Sequence, residues 1–341
     1  MKLIGNLDVA GKRVLLRADL DIDVEQLAKG GQTEYPTRLK NIKPSVDFLL
    51  SHGASAVVIL GHIYRPKGPD PKLSTKQLVG PISEILGQTA VFVPDFEVAK
   101  GQQNEKVQLF ENLRFWPGET ENSEEFARQL ASLGDVYIND AFANCHRAHA
   151  SMVALAHLLP SAAGLNLEKE VNEMRKVLGN PQRPFIAVIG GAKLETKLPV
   201  IANLARTADK VLVGGLMSVQ YDPSAIDEQY RERVIAAVLT RDTEDIDESS
   251  IAKFESVLEG AKMVVWNGPV SHFEGGFVTG TKAIAEAIIA SGAESIIGGG
   301  QTEEFLAEYN LLQKFSFISS GGGAMLEFLA GRTLPGIEAL A

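Results

Sequence analysis

A chain of 341 residues is longer than one hydrophobic core usually serves, which favours two domains of roughly 150 residues each. Hydrophobic residues make up 45%, charged residues 22% and the mean hydropathy is +0.02, a balance that excludes collagen-like and largely disordered classes. With 43 acidic against 33 basic residues the net charge is -10, which argues against a nucleic-acid partner while leaving room for a local basic pocket.

Taken in chain order, short apolar runs alternate with amphipathic stretches, the pattern of βα units building a parallel sheet. The class is α/β. Strands are expected at Val14-Leu15-Leu16, Ala56-Val57-Val58-Ile59-Leu60, Val91-Phe92-Val93, Val107-Gln108-Leu109-Phe110 and Val136-Tyr137-Ile138. Between them, helical spacing over 38–50 aligns Leu39, Ile42, Val46 and Leu49, and over 124–133 it aligns Phe126, Leu130 and Leu133. A charged helix over 168–178, followed by Gly179-Asn180-Pro181, reads as the domain boundary. The division is therefore 1–167, a linker helix 168–178 and 179–330. In the second half, strands are expected at Phe185-Ile186-Ala187-Val188-Ile189, Lys210-Val211-Leu212-Val213, Met263-Val264-Val265-Trp266, Ser295-Ile296-Ile297 and Phe315-Ser316-Phe317-Ile318.

The single Cys145 excludes an internal disulfide, and Met1-Lys2-Leu3-Ile4-Gly5 lacks a secretory apolar run, so a cytoplasmic location is expected. No apolar run approaches the roughly 20 residues of a membrane span, so no membrane partner is expected. The histidines lack zinc-ligand spacing.

Ligands of open parallel sheets bind beyond the carboxyl ends of the strands. In the first half those positions hold Arg17, Asp19, His62, Arg65, Arg114, His146 and Arg147, and Arg38 opens the first helix. Any one arginine alone is most simply a solvated charge. Several at one sheet edge repel unless an anion lies between them, and guanidinium forks match phosphate and carboxylate oxygens. In the second half the same positions hold glycines: Gly190-Gly191-Ala192-Lys193, Gly214-Gly215, Asn267-Gly268-Pro269, Gly298-Gly299-Gly300 and Gly321-Gly322-Gly323. A single glycine turn serves tight geometry, but five with Lys193 and Lys197 favour a nucleotide. The Gly-x-x-x-x-Gly-Lys-Ser/Thr and Gly-x-Gly-x-x-Gly patterns are absent, which disfavours P-loop and nicotinamide proteins. An anion domain facing a nucleotide domain suggests phosphoryl transfer to a small acid, with closure expelling water.

Glu111-Asn112-Leu113-Arg114-Phe115, Asn139-Asp140-Ala141-Phe142, His146-Arg147-Ala148-His149-Ala150-Ser151, Gly190-Gly191-Ala192-Lys193, Trp266-Asn267-Gly268-Pro269 and the glycine run 321–323 carry a resemblance to the phosphoglycerate kinase family over essentially the whole chain. The resemblance implies two Rossmann-like three-layer domains of parallel sheet, with the tail 331–341 returning to the first. It implies reversible phosphoryl transfer from 1,3-bisphosphoglycerate to MgADP, giving 3-phosphoglycerate and MgATP, and a monomer is expected. By the match, Arg17, Asp19, Asp21, Arg38, His62, Arg65, Arg114 and Arg147 would form the glycerate site. Gly190, Gly191, Lys193, Lys197, Gly214, Asn267, Pro269, Glu274, Gly299, Gly300, Gln301 and Thr302 would form the nucleotide site, with Glu274 at the ribose. Lys197, Arg38, Gly322 and Gly323 would meet the transferring group.

The chain also departs from the family pattern. Asp21 stands where the family has asparagine, Gln301 where it has the magnesium-binding aspartate, and Phe317 where it has histidine. Gly214-Gly215-Leu216 shortens a triple glycine, Val270-Ser271-His272 replaces a smaller turn, and only 48 residues separate Met217 from Trp266. Asp245-Ile246-Asp247-Glu248 half matches the family's Asp-Ile-Gly-Pro. Three readings therefore stay open: an active kinase of this family, a catalytically impaired relative that binds phosphoglycerate as a sensor, and a small-acid kinase with another acceptor or nucleoside triphosphate.

Overall fold

The computed structural model describes residues 1–29, 35–101 and 105–341. It contains two compact units, Met1–Val171 with Thr333–Ala341, and Asn172–Arg332.

In the first unit six strands form one parallel sheet: β1 (Arg13–Arg17), β2 (Ala56–Leu60), β3 (Val91–Val93), β4 (Val107–Phe110), β5 (Val136–Asn139) and β6 (Ser161–Ala163), in the order β3-β4-β2-β1-β5-β6. Arg17 pairs in register with both Leu60 and Asn139, so the carboxyl ends of the central strands finish level and their following loops meet. Val14, Leu16, Val57, Ile59, Leu109 and Ile138 pack against Val46, Leu49 and Ile82 of the covering helices. The helix expected over 38–50 is two helices, Thr37–Lys40 and Lys43–Ser51. Pro44 has no N–H for the Lys40 carbonyl and its ring crowds that carbonyl, which breaks the helix there. β6 was not expected from its residues, since Ser161-Ala162-Ala163 is no apolar run; it forms because β5 and Leu3 supply partners on its two sides. The tail belongs to this unit: Lys2 N–H donates to Leu340 O at 2.9 Å and Gly336 N–H to Cys145 O at 2.9 Å.

The second unit repeats the plan with β7 (Phe185–Ile189), β8 (Lys210–Val213), β9 (Val234–Ala236), β10 (Met263–Asn267), β11 (Glu294–Gly298) and β12 (Phe317–Ile318), all parallel in the order β12-β11-β10-β7-β8-β9. Asn267 is level with Ile189 and Gly298, which brings three glycine turns to one edge. Trp266, Phe254, Ile284 and Phe305 fill the core. β9 was also missed; its half-buried residues follow the charged run Arg231-Glu232-Arg233 and, among the described residues, pair with β8 alone. The expected strand at 315–318 is shorter, because Leu312–Lys314 winds as a 3-10 turn and leaves Phe317–Ile318 to pair. In the shortened connection, Asp247 caps the helix Glu248–Leu258 through Ser250 N–H at 2.8 Å, and Asp245 accepts from Gly280 N–H at 3.1 Å.

The helix between the units runs Leu165–Leu178, three residues longer at its start than the charge pattern suggests. Asp140, just beyond β5, accepts from Asn166 N–H at 2.8 Å and Leu167 N–H at 3.1 Å, satisfying donors that a helix start otherwise leaves open. Among the described residues no helix is long and apolar enough to cross a membrane.

Candidate active site

In the first unit the loops beyond β1, β2, β4 and β5 assemble two adjoining groups of side chains. Arg65, Lys67, Arg114, Arg147 and His149 line a cavity of about 410 Å³. Asn112 positions Arg114: its Oδ1 accepts from Arg114 N–H at 3.1 Å while its amide donates to Ile63 O at 2.9 Å and Leu73 O at 2.8 Å. Beside this cavity, Arg38 donates to Asp21 O at 2.8 Å and pairs with Asp19 at 3.5 Å. The two groups are joined through Tyr64, whose N–H donates to Asp21 Oδ1 at 2.7 Å and whose carbonyl accepts from Arg114. Tyr64 holds φ 51, a left-handed conformation that this pair of bonds maintains.

The basic groups weaken one another. Burial, followed by Arg147, pushes the Arg114 guanidinium down to about 10, with Asp21 opposing. Burial, then Arg114, Arg17 and Arg147, pushes His149 down to about 3. Burial is the larger cause of both shifts, and the mutual repulsion of the cations that adds to it is what an entering anion relieves. Asp21, the residue that departs from the family, offsets part of that repulsion, since it acts on both Arg114 and Arg147.

Not every expected ligand is open to one. Arg17 is fully buried: its Nε donates to Ser151 Oγ at 2.9 Å, one terminal nitrogen to Ala18 O and the other to His62 Nδ1 at 2.8 Å. All its guanidinium nitrogens are thus engaged within the protein, behind the cavity-lining arginines. His62 is equally buried. His149 and Lys67 line the cavity although they were not singled out, and only the folding of their loops beside Arg114 shows it.

In the second unit Lys197, on the helix Leu194–Thr207, directs its ammonium back at the turns. It donates to Gly190 O, to Asn267 O at 3.2 Å and to Asn267 Oδ1 at 3.1 Å. No carboxylate pairs with it among the described residues, and burial pushes it down to about 8. The turns must be glycine to close here: a Cβ on Gly190 would stand 2.2 Å from Pro269 O, and one on Gly322 would stand 2.8 Å from Gly299 Cα. Gly299, at φ 101, precedes the helix Gly300–Glu308, and the helix Gly322–Leu329 opens beside it with Gly323 exposed. Gly191 borders the Lys197 ammonium, and Gly214 lies under the buried Val270 side chain. Lys193 is exposed just before the Leu194–Thr207 helix.

Three of the residues expected at the nucleotide are buried among their neighbours. Thr302 is fully buried and its hydroxyl accepts from Gly268 N–H at 2.9 Å; Asn267 is 2% exposed and occupied with Lys197; Pro269 is buried behind Gly190. Two exposed residues, Gln301 and Glu274, meet directly, the amide nitrogen donating to the carboxylate. That leaves the Gln301 carbonyl oxygen and the second Glu274 oxygen as hard donors suited to magnesium. Among the described residues no group of three His, Cys, Asp or Glu is placed to hold a metal ion.

Paired parallel α/β units, one ending its strands in guanidiniums and the other in glycine turns around a half-buried lysine, define a protein of the phosphotransferase class. The family model described as phosphoglycerate kinase matches residues 4–223 and 222–332, meeting inside the shortened stretch after Met217. A phosphoglycerate kinase of Fervidobacterium nodosum is 36% identical over 395 aligned positions, covering 99% of this chain and 98% of that protein. Solved structures of phosphoglycerate kinase from Coxiella burnetii (30% identical, TM-score 0.80, 99% of this chain and 97% of that one) and Pyrococcus horikoshii OT3 (28%, 0.84, 100% and 98%) share the fold. The chain belongs to the phosphoglycerate kinase family.

Proposed function

We propose that this phosphotransferase transfers a phosphoryl group reversibly between the acyl phosphate of 1,3-bisphosphoglycerate and MgADP, giving 3-phosphoglycerate and MgATP. The observation that carries the assignment to the first unit is the cavity of Arg65, Arg114, Arg147 and His149 beside Arg38. Its guanidiniums would hold the glycerate phosphate and carboxylate in paired hydrogen bonds. Asp19 and Asp21 would fix Arg38 and Tyr64 and turn away acids that carry no second anion.

Phosphoryl transfer needs positioning and charge stabilisation more than covalent help from the protein. Lys197 would neutralise charge spreading over the migrating group, and the opening turn of the helix at Gly322-Gly323 would add backbone N–H donors. Lys193 and the glycine turns at 190–191, 214 and 299–300 would admit the nucleotide, with Glu274 at the ribose side. Gln301 would offer its carbonyl oxygen to magnesium, which would supply positive charge to offset that of the nucleotide phosphates. The partners are small molecules. Both sets of groups lie on one chain, which accords with a monomer, and charged metabolites as substrates accord with a cytoplasmic enzyme.

A coupled assay with 3-phosphoglycerate, magnesium and ATP, run beside GTP, tests the reading. Turnover that requires 3-phosphoglycerate supports it, and none with either nucleotide refutes it.

A further inference from the structure

Behind the cavity-lining arginines lies a line of hydrogen-bonded polar groups that runs from Glu119 to Asp21. Glu119 is fully buried, and its two oxygens accept from Ser151 Oγ at 2.6 Å and Ser151 N–H at 2.9 Å. Tyr137 anchors the same residue by donating to Ser151 O at 2.6 Å. Because the serine proton goes to Glu119, the Ser151 oxygen is left to accept from Arg17 Nε at 2.9 Å. Arg17 in turn presents a terminal nitrogen to His62 Nδ1 at 2.8 Å.

A guanidinium cannot accept a hydrogen bond, so His62 Nδ1 must be the bare nitrogen and Nε2 must carry the proton. Nε2 is buried, has no hydrogen-bond partner among the described residues and lies 3.7 Å from Asp21 Oδ2. Asp21 Oδ1 is already taken by Tyr64 N–H. The line thus alternates in sign, from the Glu119 carboxylate through Ser151 to the Arg17 guanidinium, and through a neutral imidazole to the Asp21 carboxylate.

We propose that Glu119 and Ser151 are positioning residues that lock His62 as its Nε2–H tautomer, so that an uncharged N–H, 3.7 Å from the Asp21 carboxylate, faces the glycerate site. The inference rests on the first unit being that site. The groups facing His62 are Arg17, Arg114, Arg147, His149 and Asp21; the cations among them, added to burial, hold its basicity well below the ordinary imidazole value. Protonation would place an N–H on Nδ1 against the Arg17 N–H, so the donor does not change as pH falls through the physiological range.

The experiment is a long-range proton–nitrogen NMR spectrum of histidine-labelled protein without substrate, with His62 assigned by His62→Gln. The expected result is a neutral Nε2–H pattern that does not titrate between pH 5.5 and 8, on the order of one unit either side of a free imidazole. An Nδ1–H pattern, or titration in that window, overturns the proposal whether or not any variant folds. Ser151→Ala should mix the tautomers, raise KM for 3-phosphoglycerate about tenfold, leave kcat within about threefold and give kcat/KM a new inflection near 6.5. Ser151→Thr, which keeps the hydroxyl, should restore the wild-type spectrum and pH profile. A Ser151→Ala protein that folds and keeps the pure Nε2–H signal with a flat profile overturns it as well. The spectrum needs no turnover, so absent kinase activity with the expected spectrum would defeat the functional reading and leave this one standing.

Discussion

Replacing Lys197 with methionine removes one charge while nearly keeping the side-chain volume, so the packing cost stays small. The ammonium is held by Gly190 O, Asn267 O and Asn267 Oδ1, without a carboxylate partner, in a site dry enough to push it down to about 8. A donor fixed in that way needs little reorganisation when charge develops on the phosphoryl oxygens. Loss of one such preorganised donor costs roughly 2.7–4 kcal/mol of barrier, which is about 100- to 1,000-fold in kcat. KM for the nucleotide should change far less, because the ground state gains less from this contact. The pH profile adds an independent check. Only the ammonium form can neutralise phosphate, so wild-type kcat/KM should decline above pH about 8, following the free enzyme. The kcat limb should lie higher, since bound phosphate raises the lysine pKa. Steady-state kinetics from pH 6.5 to 9.5, on the order of the lysine value either side, measure both. If Lys197→Met keeps kcat within about threefold while KM rises about tenfold, the lysine serves ground-state binding and the reasoning fails.

Other outcomes follow from the same geometry. Arg38→Ala and Arg147→Ala should each weaken 3-phosphoglycerate binding in calorimetry by roughly 1.5–3 kcal/mol, with affinity falling as salt rises, and unchanged affinity in both variants would remove the glycerate site from this cluster. Gln301→Asp replaces the N–H donor facing Glu274 with a second carboxylate, so half-saturating magnesium in the kinase assay should fall about fivefold; a rise would show that position 301 does not serve the cation. Burial raises the Asp140 carboxyl from 3.8 to about 6, so the folded state keeps a proton that the unfolded chain loses between those values. That contribution is complete below pH about 4 and is lost as pH rises through about 6, and Asp140→Asn should abolish it. Urea melts of wild type and variant at pH 4 and 7 should differ by on the order of 3 kcal/mol in their pH dependence, and equal dependence would refute the assignment.

The sequence by itself determined the α/β class, ten of the strands in outline and which strand ends carry arginine and which glycine, because each rests on local features: apolar runs of strand length, helical spacing and turn chemistry. Tertiary structure alone decided the rest. Ser161-Ala162-Ala163 becomes β6 because β5 and Leu3 offer it hydrogen bonds, and no property of three small residues announces such partners. Arg17, Arg65 and Arg147 look alike in the chain, yet one is closed behind Ser151 and His62 while the other two line a cavity. Nothing next to Arg17 in sequence signals this, since Ser151 and Glu119 reach it only when the loops after β1, β4 and β5 converge. Gln301 shows the same division: its lost charge is visible in the sequence, but the Glu274 carboxylate that receives its amide lies 27 positions away, beyond a different strand. Burial and long-range pairing are sums over contacts distant in sequence, so they arise only when the whole chain has folded.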